Sequence, residues 1–286
     1  LEPAEMRCLY LLLALAVSAE VRARAGRHDG TGTLELLDEL VYAAPAIRDA
    51  FADHLAADGR LFAYGLIEYA GDDGNRLSRP VRIADRLVEL AYGRDVADLG
   101  GYAVLVEPED EHLIVSDHAR TTMLAALQRH VERSGDAVPL VRGAEGAGRR
   151  ALVAGAARVL GAQLLLVRCG ALPFDGLRRV LVEIRREAVL ARAVIVLCDA
   201  EQLVADPELG RRDRTGAIER AFAGFPGPIA MTARANAQPR VFGATRGVIA
   251  IDLPALAESE RATLWTRWLP AAAPAVAPVA AAPAAP

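Results

Sequence analysis

Apolar residues recur along this chain in two rhythms, and the change between them divides it. Leu9 to Ala19 is almost unbroken apolar sequence, and with Cys8 it reads as one helix over 8–19. Leu34, Leu37, Leu40 and Val41 recur at helical spacing and predict a second helix. Ala46 to Leu55 predicts a third, with Pro45 near its start, where a fixed φ suits a first turn. The rhythm then shortens. Leu61 to Tyr69 and Leu77 to Ile83 read as strands around Gly71-Asp72-Asp73-Gly74-Asn75, a hairpin signal. Ala84 to Tyr92 returns to helix. Three helices followed by a β-hairpin predict a winged-helix domain over residues 1–100.

Residues 101–137 read as a connector, with short extended runs (Tyr102 to Val106, Leu113 to Val115) and a helix near Ala119 to Arg133. His112, His118 and His130 fall here without metal-site spacing and read as solvated. From Val138 strand and helix alternate. Val138 to Arg142, Gln163 to Arg168, Ala193 to Leu197, Pro228 to Thr232 and Val248 to Ile251 read as strands. Arg150 to Leu160, Leu177 to Arg192, Thr215 to Phe222 and Leu256 to Leu269 read as helices. The alternation predicts an α/β core over 138–269: a parallel sheet with flanking helices and a ligand site at the C-terminal strand ends. Residues 270–286 contain only Pro, Ala and Val and read as a linker tail.

Composition narrows the picture. The 286 residues are 53% hydrophobic, enough for two domains with real cores. All 33 basic residues are arginine. Residues 1–100 carry 17 acidic and 11 basic side chains, a net −6, whereas the remainder is +2. An acidic winged helix fits protein contact better than DNA, whose phosphates demand a basic face. Cys8, Cys169 and Cys198 are odd in number and far apart, which suggests neither a disulfide framework nor a zinc site and makes a reducing cytoplasm the expectation. Met6-Arg7-Cys8 and the apolar run that follows resemble a short signal peptide, with Val17-Ser18-Ala19 as cleavage site. A buried helix is the preferred reading, because the run is too short for a bilayer and no other stretch approaches that length. The opening at Leu1 without methionine and the terminal Pro/Ala tract suggest a fragment of a longer protein.

The candidate chemistry sits in residues 140–152. Gly143 and Gly148 have the spacing of the phosphate loop G-x-x-x-x-G-K-[ST], with Glu145, Gly146 and Ala147 between them. Arg149 stands where lysine is required, and Arg150 where Ser or Thr would hold Mg²⁺. The loop backbone could still cradle a phosphate. Arginine is longer, planar and forked, so it replaces that lysine poorly. Arg149 could pair with a phosphate, or with Asp199 or Glu201 in an empty site. The buried strand Val194 to Leu197 leads into Cys198-Asp199-Ala200-Glu201, where such ATPases carry a metal-side Asp and then a Glu that orients water. Aligned directly, Cys198 takes the Asp position and Asp199 the Glu position; shifted by one, Asp199 is the metal-side group and Ala200 the missing base. Asp199 and Glu201 are the candidate catalytic carboxylates, and Thr232 at a strand end is a candidate γ-phosphate sensor.

These parts, in this order, resemble the AAA+ ATPases that carry an N-terminal winged helix followed by two AAA modules, of the type found beside bacterial contractile injection systems. The resemblance rests on Leu11 to Ala16, Tyr64-Gly65-Leu66-Ile67 and Ser78 to Ile83 in the first domain. In the second it rests on Gly146 to Leu152, Arg186 to Leu190 and Glu260 to Trp265. In such proteins the first AAA module is commonly degenerate and the second hydrolyses ATP. The resemblance therefore implies ATP or ADP as ligand, while the residues themselves, with Arg150 in place of the hydroxyl and one carboxylate missing, give little support for Mg²⁺. It also implies a homo-oligomeric ring or a second AAA module as partner, and a protein substrate. Membrane and nucleic acid are not expected partners. Only one helix precedes the Pro/Ala tail, so the helical lid is incomplete and a second module is absent. Two other readings stay open: an active ATPase in which Arg149 replaces the lysine, and a winged-helix DNA-binding regulator.

Overall fold

A computed structural model describes residues 1–71, 75–94, 98–108, 114–133, 137–205, 212–243 and 245–268. The first region opens on α1 (Pro3–Val17), whose first-turn Glu5 accepts from the backbone N–H of Glu2 at 2.7 Å. Cys8, Leu12 and Leu15 of α1 are fully buried, so the apolar run packs as a core helix. It stops at Ser18, whose hydroxyl accepts from Val21 N–H and starts α2 (Ala19–Arg24). The expected helix over 8–19 is thus two helices meeting at a cap. No described helix is long and apolar enough to cross a membrane.

β1 (Gly32–Thr33) leads into α3 (Leu34–Val41), which Thr33 caps through its bond from Leu36 N–H. The expected third helix breaks into two single turns, α4 (Pro45–Arg48) and α5 (Phe51–His54). No residue of α4 is buried, so burial does not hold the two turns together as one helix. The expected strand from Leu61 starts late. Residues 60–63 form the turn α6 (Arg60–Ala63), Gly65 reverses the chain at φ +58°, and β2 covers only Ile67–Tyr69. Phe62 stacks on Tyr69 at 4.8 Å, a contact the helical turn permits. β3 (Pro80–Ile83) pairs antiparallel with β2 and, on its other edge, with β1. Residues 72–74 of the expected turn lie outside the described residues. α7 (Asp85–Ala91) follows.

The second sheet has the order β4-β6-β7-β8-β5-β9. Its strands are β4 (Ala103–Val106), β5 (Ala137–Gly143), β6 (Gln163–Arg168), β7 (Ala193–Cys198), β8 (Ile229–Ala233) and β9 (Gly247–Leu253). All pairings are parallel except β4 with β6. The segment read as a connector supplies both β4 and α8 (Asp117–Arg133).

α8 and α9 (Arg149–Val159) cover one face of this sheet, burying Met123, Leu127 and Val153 against Val141, Val194 and Val196. α10 (Leu177–Leu190) and α11 (Thr215–Phe222) cover the other, with Leu181, Ile184 and Phe222 on Leu165, Ile195 and Met231. Alternate residues of β4, β5, β6, β7 and β8 thus feed opposite cores, whereas β9 gives Ile249, Ile251 and Leu253 to the α8–α9 side. α12 (Glu258–Trp268) ends the described chain. One histidine differs from expectation: His118 is exposed, as read from sequence, but His130 is fully buried, because it lies on the packed side of α8. His112 and the 270–286 tail lie outside the described residues.

The two regions meet through charge and close contact. The Glu187 carboxylate accepts from Arg86 at 3.0 Å and from Arg186 at 3.2 Å, and Arg186 also reaches the Gly65 carbonyl at 3.3 Å. A methyl group on Gly65 would stand 2.6 Å from Val182 Cγ1, so this approach requires glycine twice over, for space and for φ.

Candidate functional site

The site forms where β5, β7 and β8 end side by side. β5 runs into the loop 144–148, and α9 starts at Arg149. Gly146 and Gly148 adopt φ +78° and +83°, conformations that cost an L side chain. A methyl group at Gly143 would press within 3.2 Å of Ala147 Cβ and the Leu253 backbone oxygen. Ala147 is buried beneath the loop, whereas Glu145 and Arg150 are exposed. The sequence-predicted strand–loop–helix is therefore present, with its glycines at the bends.

Asp199 leaves β7 in the left-handed region, at φ +55° and ψ 56°. Its N–H donates to the hydroxyl of Thr232, 3.1 Å away on β8, and Thr232 is almost wholly buried. Asp and Asn tolerate this conformation best among residues with a Cβ. The bend turns the Asp199 carboxylate towards the loop, where Oδ1 lies 3.2 Å from Arg149 Nη1. The pair is unequal: the Arg149 side chain is 15% exposed and that of Asp199 42%. Arg149 Nη1 makes no contact with hydrogen-bond geometry, so this is an ion pair held by charge. Glu201, one residue past Ala200, has both carboxylate oxygens shielded from water and unbonded, with Arg234 Nε 3.5 Å from Oε1.

Two cavities flank the Arg149–Asp199 pair. One, of about 880 Å³, lies on the α9 face. Arg149, Arg150, Arg168 and Cys198 line its polar part, and Val104, Val106, Leu164 and Leu166 its apolar wall. The other, of about 550 Å³, includes Gly143, Glu145, Arg149, Asp199, Gln202 and Arg234. Burial pushes the Cys198 thiol up to about 11, with Asp199 adding to the rise, while Arg150, Arg149 and Arg168 pull the other way. Among the described residues, no group of three or more His, Cys, Asp or Glu converges as metal ligands would.

The structure thus brings together every sequence-predicted position: Gly143, Glu145, Gly146, Ala147, Gly148, Arg149, Arg150, Asp199, Glu201 and Thr232 all stand at these strand ends. Three further residues enter. Arg168 ends β6, Gln202 follows Glu201, and Arg234 lies two positions past Thr232. Their only signal in sequence is position, since each is polar and sits at or just past the C-terminal end of an apolar strand.

The class this architecture defines is an α/β protein with a six-stranded, mostly parallel sheet flanked by helices and a glycine-rich loop between strand and helix at its C-terminal edge. No family model and no curated protein matches the chain. Among solved structures, it is similar to a chain of the E. coli MS115-1 HORMA:CdnC:Trip13 complex at 12% identity. The match covers 60% of this chain and 76% of that one, with a TM-score of 0.42. That likeness is too loose to carry a functional comparison.

Proposed function

We propose that this chain is the non-catalytic, weakly nucleotide-binding N-terminal part of an AAA+ ATPase that remodels or assembles other proteins. The ion pair between Arg149 and Asp199 carries the reading. The loop cation and the strand-end carboxylate, which in a working site would face phosphate and water, neutralise each other instead. Glu201 faces Arg234, so neither candidate carboxylate is left as an open base.

Mg²⁺ does not fit this residue set. Arg150 replaces the hydroxyl that would hold it, and Asp199 is engaged by a guanidinium. No catalytic step through the metal follows. What remains is the loop backbone, with glycines at its bends, as a cradle for the phosphates of ATP or ADP. The partners proposed are a homo-oligomeric ring or a second AAA module, and a protein substrate.

The helices and the β2–β3 hairpin of the first region support a winged-helix assignment. Its net −6 charge favours a protein-contact role over DNA. Steady-state phosphate release from the purified chain tests the proposal. Release indistinguishable from background is expected. Turnover of about 1 s⁻¹ or more, within the ordinary enzyme range, that disappears in Asp199→Ala would overturn it.

A further inference from the structure

The cavity of about 880 Å³ is built from two chemically opposite halves, which the loop motif alone does not explain. Its basic end gathers guanidinium groups from three places: Arg149 and Arg150 at the start of α9, and Arg168 at the end of β6. Among the described residues, Arg150 and Arg168 have no ion-pair partner for their side chains. Arg149 is held by Asp199 alone. The other carboxylates lining the cavity, Glu107 and Glu145, are exposed. All three arginines line the cavity together with Cys198.

The opposite wall is apolar. Val104 and Val106 of β4 and Leu164 and Leu166 of β6 present alternate positions of two adjacent strands to the α9 side. The volume lies within the range of small-ligand pockets. Arginine is the residue suited to forked recognition of phosphate, and three of them supply the positive charge that a divalent cation otherwise brings.

We infer that this cavity binds a nucleoside polyphosphate without a divalent cation, its phosphate chain on Arg149, Arg150 and Arg168 and its base against the Val104–Leu166 wall. The inference rests on reading the glycine loop as a phosphate cradle, and it specifies the form of ligand taken.

Titration calorimetry of the whole chain with ATP, ADP and inorganic triphosphate, each with Mg²⁺ and with EDTA, tests it. ATP is expected to bind in EDTA at least as tightly as with Mg²⁺, because the metal masks the charge the arginines read. It is also expected to bind at least about tenfold tighter than triphosphate, from burial of the base. Arg168→Ala and Arg150→Ala, both at exposed positions, should each weaken ATP about tenfold or more without moving the melting temperature.

Binding that falls tenfold or more in EDTA overturns the metal-free inference and leaves the nucleotide reading standing. Triphosphate matching ATP overturns the part played by the apolar wall. Unchanged affinity in both arginine variants overturns the three-arginine site. No binding of any of the three ligands removes the nucleotide reading itself.

Discussion

Arg149→Ala separates an internally paired loop from one that waits for phosphate. In the structure Arg149 Nη1 stands 3.2 Å from Asp199 Oδ1. At an effective dielectric of about 20, charges at that separation attract by roughly 5 kcal/mol before any desolvation cost. Both groups give up hydration to make the pair, and Asp199 keeps 42% of its side-chain exposure, so water screens much of the attraction. A fully buried pair broken on one side costs about 3–5 kcal/mol, and an exposed one 0–1. This pair lies between those limits, which places the loss at about 1–2 kcal/mol. For a protein of this size that lowers the melting temperature by roughly 2–8 °C.

Calorimetric or circular-dichroism melts of Arg149→Ala, Asp199→Asn and the double variant measure the effect. Asn keeps the tolerance for φ +55° at position 199, so the cycle reads the charge pairing with little backbone change. A coupling energy near 1 kcal/mol is expected. Additive losses, with coupling below about 0.3 kcal/mol, would refute the pairing and with it the observation on which the non-catalytic reading depends.

Other outcomes follow from the same structure. Glu187→Ala removes the carboxylate shared by Arg86 and Arg186, three groups that are all at least four-fifths buried, and should cost about 3 kcal/mol by chemical denaturation; a loss under about 1 kcal/mol would show that the two regions are held by other contacts. Gly65→Ala puts a methyl group 2.6 Å from Val182 and forces an unfavourable φ, so limited proteolysis should cut between the regions faster than in the parent. Arg142 holds the Asp252 carboxyl below its usual range through two 2.7 Å bonds, and the Thr215 N–H and hydroxyl do the same for Asp213. Groups depressed in the folded state stabilise it above their unfolded pKa, about 3.9 for Asp, and that contribution is lost as pH falls through the lower folded value. The melting temperature should therefore fall as pH drops below about 4, and Arg142→Ala should make that fall shallower; an unchanged acid limb in that variant would contradict the assignment.

How far the sequence predicted this structure depends on what each feature requires. The strands β5, β7 and β8 were legible because each is a short run with nearly every side chain buried, as in Ala193–Cys198, bounded by glycine or charge. α10 was legible from its period, with Leu177, Val180, Leu181 and Ile184 on one buried face. Residues 45–55 and 61–69 went astray for a different reason. Both are too short for periodicity to decide, and their form depends on which tertiary contacts reward a turn. Arg149 states the limit most clearly. Sequence presented phosphate, Asp199 and Glu201 as equal partners for it. The structure selects Asp199 through three features remote in sequence: the placing of β8 between β5 and β7, the Thr232 hydroxyl that fixes the Asp199 N–H, and the left-handed backbone that aims its carboxylate. Arg168 escaped notice because its importance comes from β6 lying two strands from β8, which brings its guanidinium into the cavity beside α9. A loop motif can therefore announce where a phosphate would sit. Whether the charges around it are free to receive one is decided by strand order, because strand order chooses the neighbours.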